Sequence, residues 1–379
     1  MAAAQAIGSA GTTAKPAVPA LLDADQVLPE LDQFDCIIDV RSPSEYAHDH
    51  IPGAINCPVL DDEQRAQVGT LDRQVSPFEA RKIGAALVSQ NIALHLQQRF
   101  LDMPKEWKPL VYCWRGGNRS GAVAHIFARI GWPVSQLEGG YQAYRRSVIA
   151  KLDELADQFT FRAVCGTTGS GKSRLLQYLA NAGAQVLDLE DLACHRSSVL
   201  GHIPGQPQPS QKHFDTRVWQ ALRSFDPTRP VFVESESRKV GNLSIPESLM
   251  LAMRDSPCFD LQLSLDERVA LLMEDYKFFV DDQALFCHRL DALVAIRGKA
   301  VVDAWKASVQ NGRIEDVVRE LLVLHYDPTY ASSMVRNFTQ SQRATPCIAT
   351  SRHPESLRQM AQALCHMTIN SRLSPPVQA

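Results

Sequence analysis

Short apolar runs alternate with longer amphipathic stretches over most of this chain. Cys36-Ile37-Ile38-Asp39-Val40 is apolar between polar flanks, the pattern of a strand buried in a parallel sheet. Arg41-Ser42-Pro43-Ser44-Glu45-Tyr46 predicts a loop entering a short helix, and His50-Ile51-Pro52-Gly53-Ala54-Ile55-Asn56 a turn into a second strand. Residues 61–105 read as mostly helical, with Ile83, Leu87, Ile92, Leu94 and Leu96 as the apolar stripe and Pro104 and Pro109 as its end. Leu110-Val111-Tyr112 predicts a strand that delivers Cys113. Residues 119–130 predict a helix stopped by Gly131, and Val134 to Leu137 a further strand before Glu138-Gly139-Gly140-Tyr141.

A charged helix over residues 142–156 leads to a second series. Phe159 to Cys165 predicts a strand, Lys172 to Ala182 a helix, and Val186-Leu187-Asp188-Leu189 a strand. Residues 201–212 are too rich in Pro and Gly for regular structure and predict a functional loop. Pro230-Val231-Phe232-Val233-Glu234-Ser235-Glu236 predicts a strand with acids at its exit, and after residue 265 the pattern is helical almost to the end. Strands alternating with helices imply α/β architecture with parallel sheets and crossovers. The expected organisation is a disordered leader over 1–20, a first domain over 21–148 and a second over 149–265. A mainly helical part of the second domain follows over 266–370, then a tail over 371–379.

Composition narrows the class. At 379 residues, 21% charged and 45% hydrophobic, the chain is an ordinary globular mix with room for two or three domains. No apolar run approaches membrane-spanning length, and no signal peptide is evident at the start, so a cytoplasmic, membrane-free protein is expected. With net charge −3, any nucleic-acid surface is a local patch. Nine scattered cysteines without a Cys-x-x-Cys pair argue against a zinc site or redox dithiol.

Two loops carry candidate chemistry. In Tyr112-Cys113-Trp114-Arg115-Gly116-Gly117-Asn118-Arg119-Ser120 a cysteine opens a tight loop that ends at a helix start. Cations and a helix N-terminus favour a thiolate, and successive backbone N–H groups make a nest for an anion. Cys113 is therefore the expected nucleophile, with Arg115, Gly116, Gly117 and Arg119 around an anion. With Asp39-Val40-Arg41, His50-Ile51-Pro52-Gly53-Ala54 and Gly139-Gly140-Tyr141, the first domain resembles a rhodanese domain over roughly residues 20–150. In that family the loop cysteine carries sulfur or selenium. The Cys-x5-Arg spacing is one residue longer than the usual sulfurtransferase loop and is similar to that of rhodanese-related phosphatases, which favours a bulkier ligand. The phosphatase reading needs a general acid, and the loop holds none.

The second loop, Gly166-Thr167-Thr168-Gly169-Ser170-Gly171-Lys172-Ser173, matches the phosphate-loop pattern between a predicted strand and helix. Gly166, Gly169, Ser170, Gly171, Lys172 and Ser173 would wrap a diphosphate, and Ser173 could ligate Mg²⁺. Glu234 ends its strand either as a metal-binding acid or as a plain exposed one. No base-recognition motif is evident, so ATP, GTP or a substrate diphosphate fits equally.

In order, the rhodanese loop, the phosphate loop and the helical tail resemble the tRNA 2-selenouridine synthase family, over about residues 20–370. Leu187-Asp188-Leu189-Glu190, His195-Arg196, Gln208-Pro209-Ser210-Gln211 and Val233-Glu234-Ser235-Glu236-Ser237-Arg238 carry the match further. The resemblance implies a transferase without a tightly bound cofactor, acting on tRNA that bears 2-thiouridine at the wobble position. Geranyl diphosphate alkylates the thiocarbonyl sulfur, and selenium from selenophosphate, which a selenophosphate synthetase could deliver, then replaces the S-geranyl group. It implies Cys113 as selenium carrier, Arg115 and Arg119 on selenophosphate, and His195, Arg196 and Glu234 as supporting residues. Arg289, Arg297 and Lys299, with Lys306 and Arg313, are candidate tRNA contacts or simply solvated helix faces. Trp114 could stack on a base or a prenyl chain, or pack against the sheet. The other enzymatic reading is a rhodanese-type sulfurtransferase fused to an ATP-dependent kinase-like domain.

Overall fold

The computed structural model describes residues 18–370; most of the expected leader and the whole tail 371–379 lie outside the described residues. The chain forms two compact units, up to Ser147 and from Val148. Each is built on a five-stranded parallel sheet.

In the first unit the strands are β1 (Ala20–Leu22), β2 (Cys36–Asp39), β3 (Ala54–Asn56), β4 (Pro109–Tyr112) and β5 (Ser135–Leu137), in the order β1-β5-β4-β2-β3. β4 is central and buried along its whole length, which matches its unbroken apolar run. Ala20, expected in the leader, opens β1 and pairs with Ser135. The 61–105 segment folds as two helices, Asp62–Gln74 and Pro77–His95, with a π-helical turn to Phe100. Ile92 is buried as expected, but Leu94 faces solvent, and Pro109 begins β4 rather than ending a helix. The core beside β4 is aromatic: Trp107 and Trp132 meet edge-on at 5.0 Å, and Phe127 packs against both.

The motif residues of this unit form a buried polar brace. Asp39 and Arg41 pair at 2.6 Å with almost no exposure. Arg41 Nη2 also donates to the Asp49 carbonyl at 2.6 Å, and the guanidinium lies 4.0 Å from the Tyr141 ring centre. The Tyr141 hydroxyl donates to Asp49 Oδ2 at 2.7 Å, and the Ile51 N–H donates to the Tyr112 hydroxyl at 3.1 Å.

In the second unit the main sheet holds β6 (Phe161–Cys165), β7 (Gln185–Leu187), β8 (Val231–Glu234), β11 (Cys258–Gln262) and β12 (Thr345–Ile348). Their order is β12-β11-β6-β8-β7, and a short hairpin joins β9 (Lys239–Val240) to β10 (Leu243–Ser244). Three expectations are corrected. Leu189 starts a helix rather than ending a strand, because Asp188 caps that helix through its side chain. The irregular segment 201–212 ends at Ser210, which caps the helix Gln211–Arg223. The tail is not purely helical: β12 adds an edge strand to β11, registering Phe259 with Thr345 and Leu261 with Cys347. No helix among the described residues is long and apolar enough to cross a membrane.

Removing one member of a buried ion pair strands the other charge. Asp39→Ala leaves Arg41 unpaired and is expected to destabilise the first unit by about 3–5 kcal/mol. Chemical denaturation checks this, and a loss below about 1 kcal/mol, the level of an exposed pair, would contradict the brace.

Candidate functional site

Cys113 leaves the end of β4, and the loop behind it enters the helix Asn118–Ile130. Gly116 and Gly117 are both left-handed, with φ of 69° and 73°. Gly117 occupies the cap position and supplies no side-chain acceptor, so the first-turn N–H groups stay open to an anion. The Cys113 sulfur is buried, accepts from Ser120 Oγ at 3.3 Å and lies 3.6 Å from the Arg115 carbonyl. Gln136, on β5, steadies the turn by donating to the Gly117 carbonyl and to Ser120 Oγ, both at 3.1 Å.

The loop is gripped from its other side by backbone. The N–H groups of Tyr141 and Gln142 donate to the carbonyls of Cys113 and Trp114 at 2.8 and 3.1 Å. Gly140, with φ of 56°, sits so close to the Cys113 carbonyl that any Cβ would collide with it. Trp114 stacks on Tyr141, with ring centres 5.4 Å apart. Arg115 is exposed at the rim, whereas Arg119 donates to Glu45 Oε2 at 3.1 Å. Arg65 pairs with the same carboxylate. Glu45 was not legible as a site neighbour, because Arg119, which it touches, lies 74 positions further along the chain.

In the second unit β6 delivers the phosphate loop and the helix Lys172–Asn181 follows it. Here too a left-handed glycine, Gly171, stands at the cap position without a side-chain acceptor. Gly166, with φ of 147°, lies against Ser170 Oγ and the Leu261 carbonyl, where a Cβ has no room. Lys172 Nζ donates to the Gly166 carbonyl at 2.8 Å, spanning the loop. The Tyr330 hydroxyl accepts from the Gly166 N–H at 2.6 Å. Arg268 Nε holds the Thr168 carbonyl at 2.9 Å while its guanidinium pairs with Asp327.

Ser173 Oγ donates to Glu190 Oε2 at 3.1 Å, and that carboxylate belongs to a cluster. One oxygen from each of Glu190, Glu234 and Glu236 lies within 4.8 Å of the others. Glu234 is fully buried, which removes the exposed-acid reading, and neither of its oxygens has a hydrogen-bond partner. Burial and the charges of Glu236 and Asp188 push Glu190 up to about 8, against the pull of Lys172. Burial and the neighbouring carboxylates raise Glu234 as well. An orphaned buried carboxylate among hard oxygen donors beside the Ser173 hydroxyl fits a divalent cation such as Mg²⁺. Sequence reading had placed only Ser173 and Glu234 there.

Cys194 and Ser197, which flank His195 and Arg196, are left-handed, with φ of 50° and 45°. His195 bridges His202, while Arg196 donates to the Asp275 carbonyl at 2.7 Å and lies 4.6 Å from the Tyr276 ring centre. Gln208 and Gln211 of the other motif hold the β9–β10 hairpin: Gln208 donates to the Val240 carbonyl at 3.0 Å, and Gln211 exchanges bonds with Ser244. Arg289 bonds His202, Arg297 bonds His325, Lys299 pairs with Asp303, Lys306 with Asp291, and Arg313 reaches Ser308.

A half-open cavity lies beside Thr168 of the phosphate loop, with about 510 Å³ of empty space that includes open solvent at its mouth. Its walls come from the helical region and are almost wholly apolar, with Leu272, Tyr276, Phe279, Phe286 and Leu322 prominent. No sequence signal announced it, because its residues are spread over helices whose apolar faces look like ordinary core.

Fold and site thus define a rhodanese unit followed by a phosphate-loop unit. The rhodanese-like domain family matches residues 21–147, and the tRNA 2-selenouridine synthase AAA domain family matches residues 159–292. The tRNA 2-selenouridine synthase of Hydrogenovibrio crunogenus is 31% identical over 343 residues, which is 81% of this chain and 93% of that protein. Those of Nitrosomonas europaea and Marinobacter nauticus are each 35% identical over 63% of this chain, spanning 63% and 65% of their own lengths. The alignments with these two therefore cover just under two thirds of the relatives. The chain belongs to the tRNA 2-selenouridine synthase family.

A carboxyl whose folded-state pKa is raised stabilises the fold below its unfolded value and loses that contribution as pH rises through the folded one. With Glu190 pushed up to about 8, thermal stability should fall between about pH 5 and pH 9, and millimolar Mg²⁺ should restore part of it at the alkaline end. Thermal melts across that range test this. Glu190→Gln should flatten the pH slope, and an unchanged slope would count against the carboxylate cluster as its source.

Proposed function

We propose that this protein modifies the wobble uridine of tRNA, converting 2-thiouridine to 2-selenouridine through an S-geranyl intermediate. Geranyl diphosphate and selenophosphate are the donors in this reading. The observation that carries it is the apolar cavity opening beside Thr168 of the phosphate loop. A nucleotide bound at that loop would bring a polar base and sugar, for which these walls offer few partners. A prenyl diphosphate matches both halves: its diphosphate suits the loop, and its hydrocarbon suits the cavity. The same observation disfavours the ATP-dependent kinase-like alternative.

In the first reaction the thiocarbonyl sulfur attacks the prenyl carbon as the carbon–oxygen bond to diphosphate breaks. The backbone N–H groups of residues 169–173 and Lys172 receive the charge that builds on the leaving group. Lys172 would exchange its present bond to the Gly166 carbonyl for a phosphate oxygen. Mg²⁺, held by Ser173 with Glu234 and Glu190, would add charge neutralisation when bound. In the second reaction selenophosphate is held at the Cys113 loop: its selenium bonds to C2 of the base as the C2–S bond to the geranyl thiol breaks, water then takes the phosphoryl group from selenium, and Cys113 positions the donor. Burial of Cys113 beneath the loop keeps its sulfur from bulk water, and Ser120 aims it. Arg115 at the rim, and Arg119 on exchange from Glu45, supply cations for the phosphate of selenophosphate. Alkylation gives the departing sulfur the form of a neutral thiol.

The family names of its relatives support action on tRNA. Arg289, Arg297 and Lys299 remain proposed as backbone contacts, each able to trade its present partner for a phosphate.

Cys113→Ser is expected to abolish selenouridine formation while S-geranylation continues. Lys172→Ala should weaken geranyl diphosphate binding on the order of tenfold or more, the worth of a charge-assisted hydrogen bond. Nucleoside mass spectrometry on tRNA treated with each variant, with titration of the donor, checks both. Selenation that survives in Cys113→Ser would overturn the role of Cys113 in the second reaction, and unchanged affinity in Lys172→Ala would overturn the diphosphate assignment.

A further inference from the structure

The apolar cavity has an internal order. Its end at the phosphate loop is marked by Thr168 and by Leu272, which packs against Gly169. From there three near-parallel rings form a ladder. Tyr276 and Phe279 are 5.9 Å apart and tilted by 13°; Phe279 and Phe286 are 5.0 Å apart and tilted by 21°. Tyr276 is the polar end, with Arg196 against its ring and the Glu190 charge acting on its phenol. Phe286 ends the ladder beyond Phe279. It is 2% exposed and backs onto the packed cluster of Leu290, Val302 and Trp305. Cores of this kind are dense and yield little space without cost.

We propose that Phe286 is the residue that sets the donor's chain length, by closing the far end of the cavity to a prenyl chain whose diphosphate sits at the Gly166–Ser173 loop. The inference rests on the prenyl diphosphate reading above and adds its specificity determinant. A chain entering beside Thr168 runs along the Tyr276–Phe279–Phe286 ladder and meets a closed aromatic wall. A donor one isoprene unit longer would have to displace Phe286 into the core behind it. Phe286 touches no reacting atom, so its effect is on selection between donors rather than on the chemistry itself.

The test is the ratio of affinities for farnesyl and geranyl diphosphate, measured by calorimetry on the full chain. Wild type should favour geranyl. In Phe286→Ala the ratio should move toward farnesyl by on the order of tenfold or more, the discrimination that a few buried methylenes supply. Phe286→Leu, which keeps most of the core filled, should move it the same way by less and guards against a misfolded alanine variant. A purely structural residue would weaken both donors together and leave the ratio fixed. Wild-type binding of geranyl diphosphate with an unmoved ratio in Phe286→Leu and in folded Phe286→Ala would sink this inference alone. Wild type binding neither diphosphate would sink the donor reading and this inference with it.

Discussion

Both reactive loops depend on one constraint: a helix must begin with its first N–H groups unclaimed. Several other helices of this chain are closed by side chains. Asp61, Ser76, Ser210 and Ser264 each accept from the first turn behind them. The helices after Cys113 and after the phosphate loop have instead left-handed Gly117 and Gly171 at the cap, with no such acceptor. Glycine at these caps forgoes only a few tenths of a kcal/mol of capping, and the vacancy suits a ligand anion. The glycines also set the direction of the loop, because only a left-handed residue turns the chain tightly enough to bring consecutive N–H groups toward one point. The rest of each unit serves to hold that turn: β4 and Gly140 grip one loop, while β6, Arg268 and Tyr330 grip the other.

The two loops differ in how they are held, and the difference bears on what each can accept. The Cys113 loop is fixed by backbone on one side and by Gln136 and Ser120 on the other, so its shape changes little when a ligand arrives. The phosphate loop is held across its mouth by Lys172 on the Gly166 carbonyl. A diphosphate has to take that lysine away, and the exchange is favourable because a phosphate oxygen carries charge where the carbonyl carries a dipole. The carboxylates behind the loop pull in the opposite sense. Glu190, Glu234 and Glu236 are too close to ionise together without a cation, so an anionic donor and a divalent cation are mutually reinforcing occupants there.

What was legible in the sequence was local. Both loops are contiguous, and their glycines, cations and following helices can be read as written; the strand before the first is an unbroken apolar run, and the strand before the second is broken only by Arg162. What was missed is assembled from distant segments. Glu45 meets Arg119 across 74 positions, and the cavity draws on helices from residue 265 onward whose apolar faces resemble any core. β12 was read as helix context because Thr345-Pro346-Cys347-Ile348 lies at an edge with a single buried residue, Cys347, and so lacks the run that marks a central strand. β11 was passed over although Cys258, Phe259 and Leu261 are buried; a polar Asp260 interrupts its run.

The His195-Arg196 motif is held under strain. Two left-handed non-glycine residues, Cys194 and Ser197, flank it, each at a cost on the order of 1–3 kcal/mol. Strain of that size persists only where neighbours over-determine the fold, and they do: His202 pairs with His195 across an antiparallel bridge, Arg217 reaches Cys194, and Asp275 and Tyr276 take Arg196. The strained segment thereby carries Ser198 and Leu200 into the cavity wall, joining the turn after Asp188 to the start of the aromatic ladder. The motif thus makes the carboxylate side of the site and the apolar side parts of one rigid arrangement, and that requires an arginine long enough to cover Tyr276.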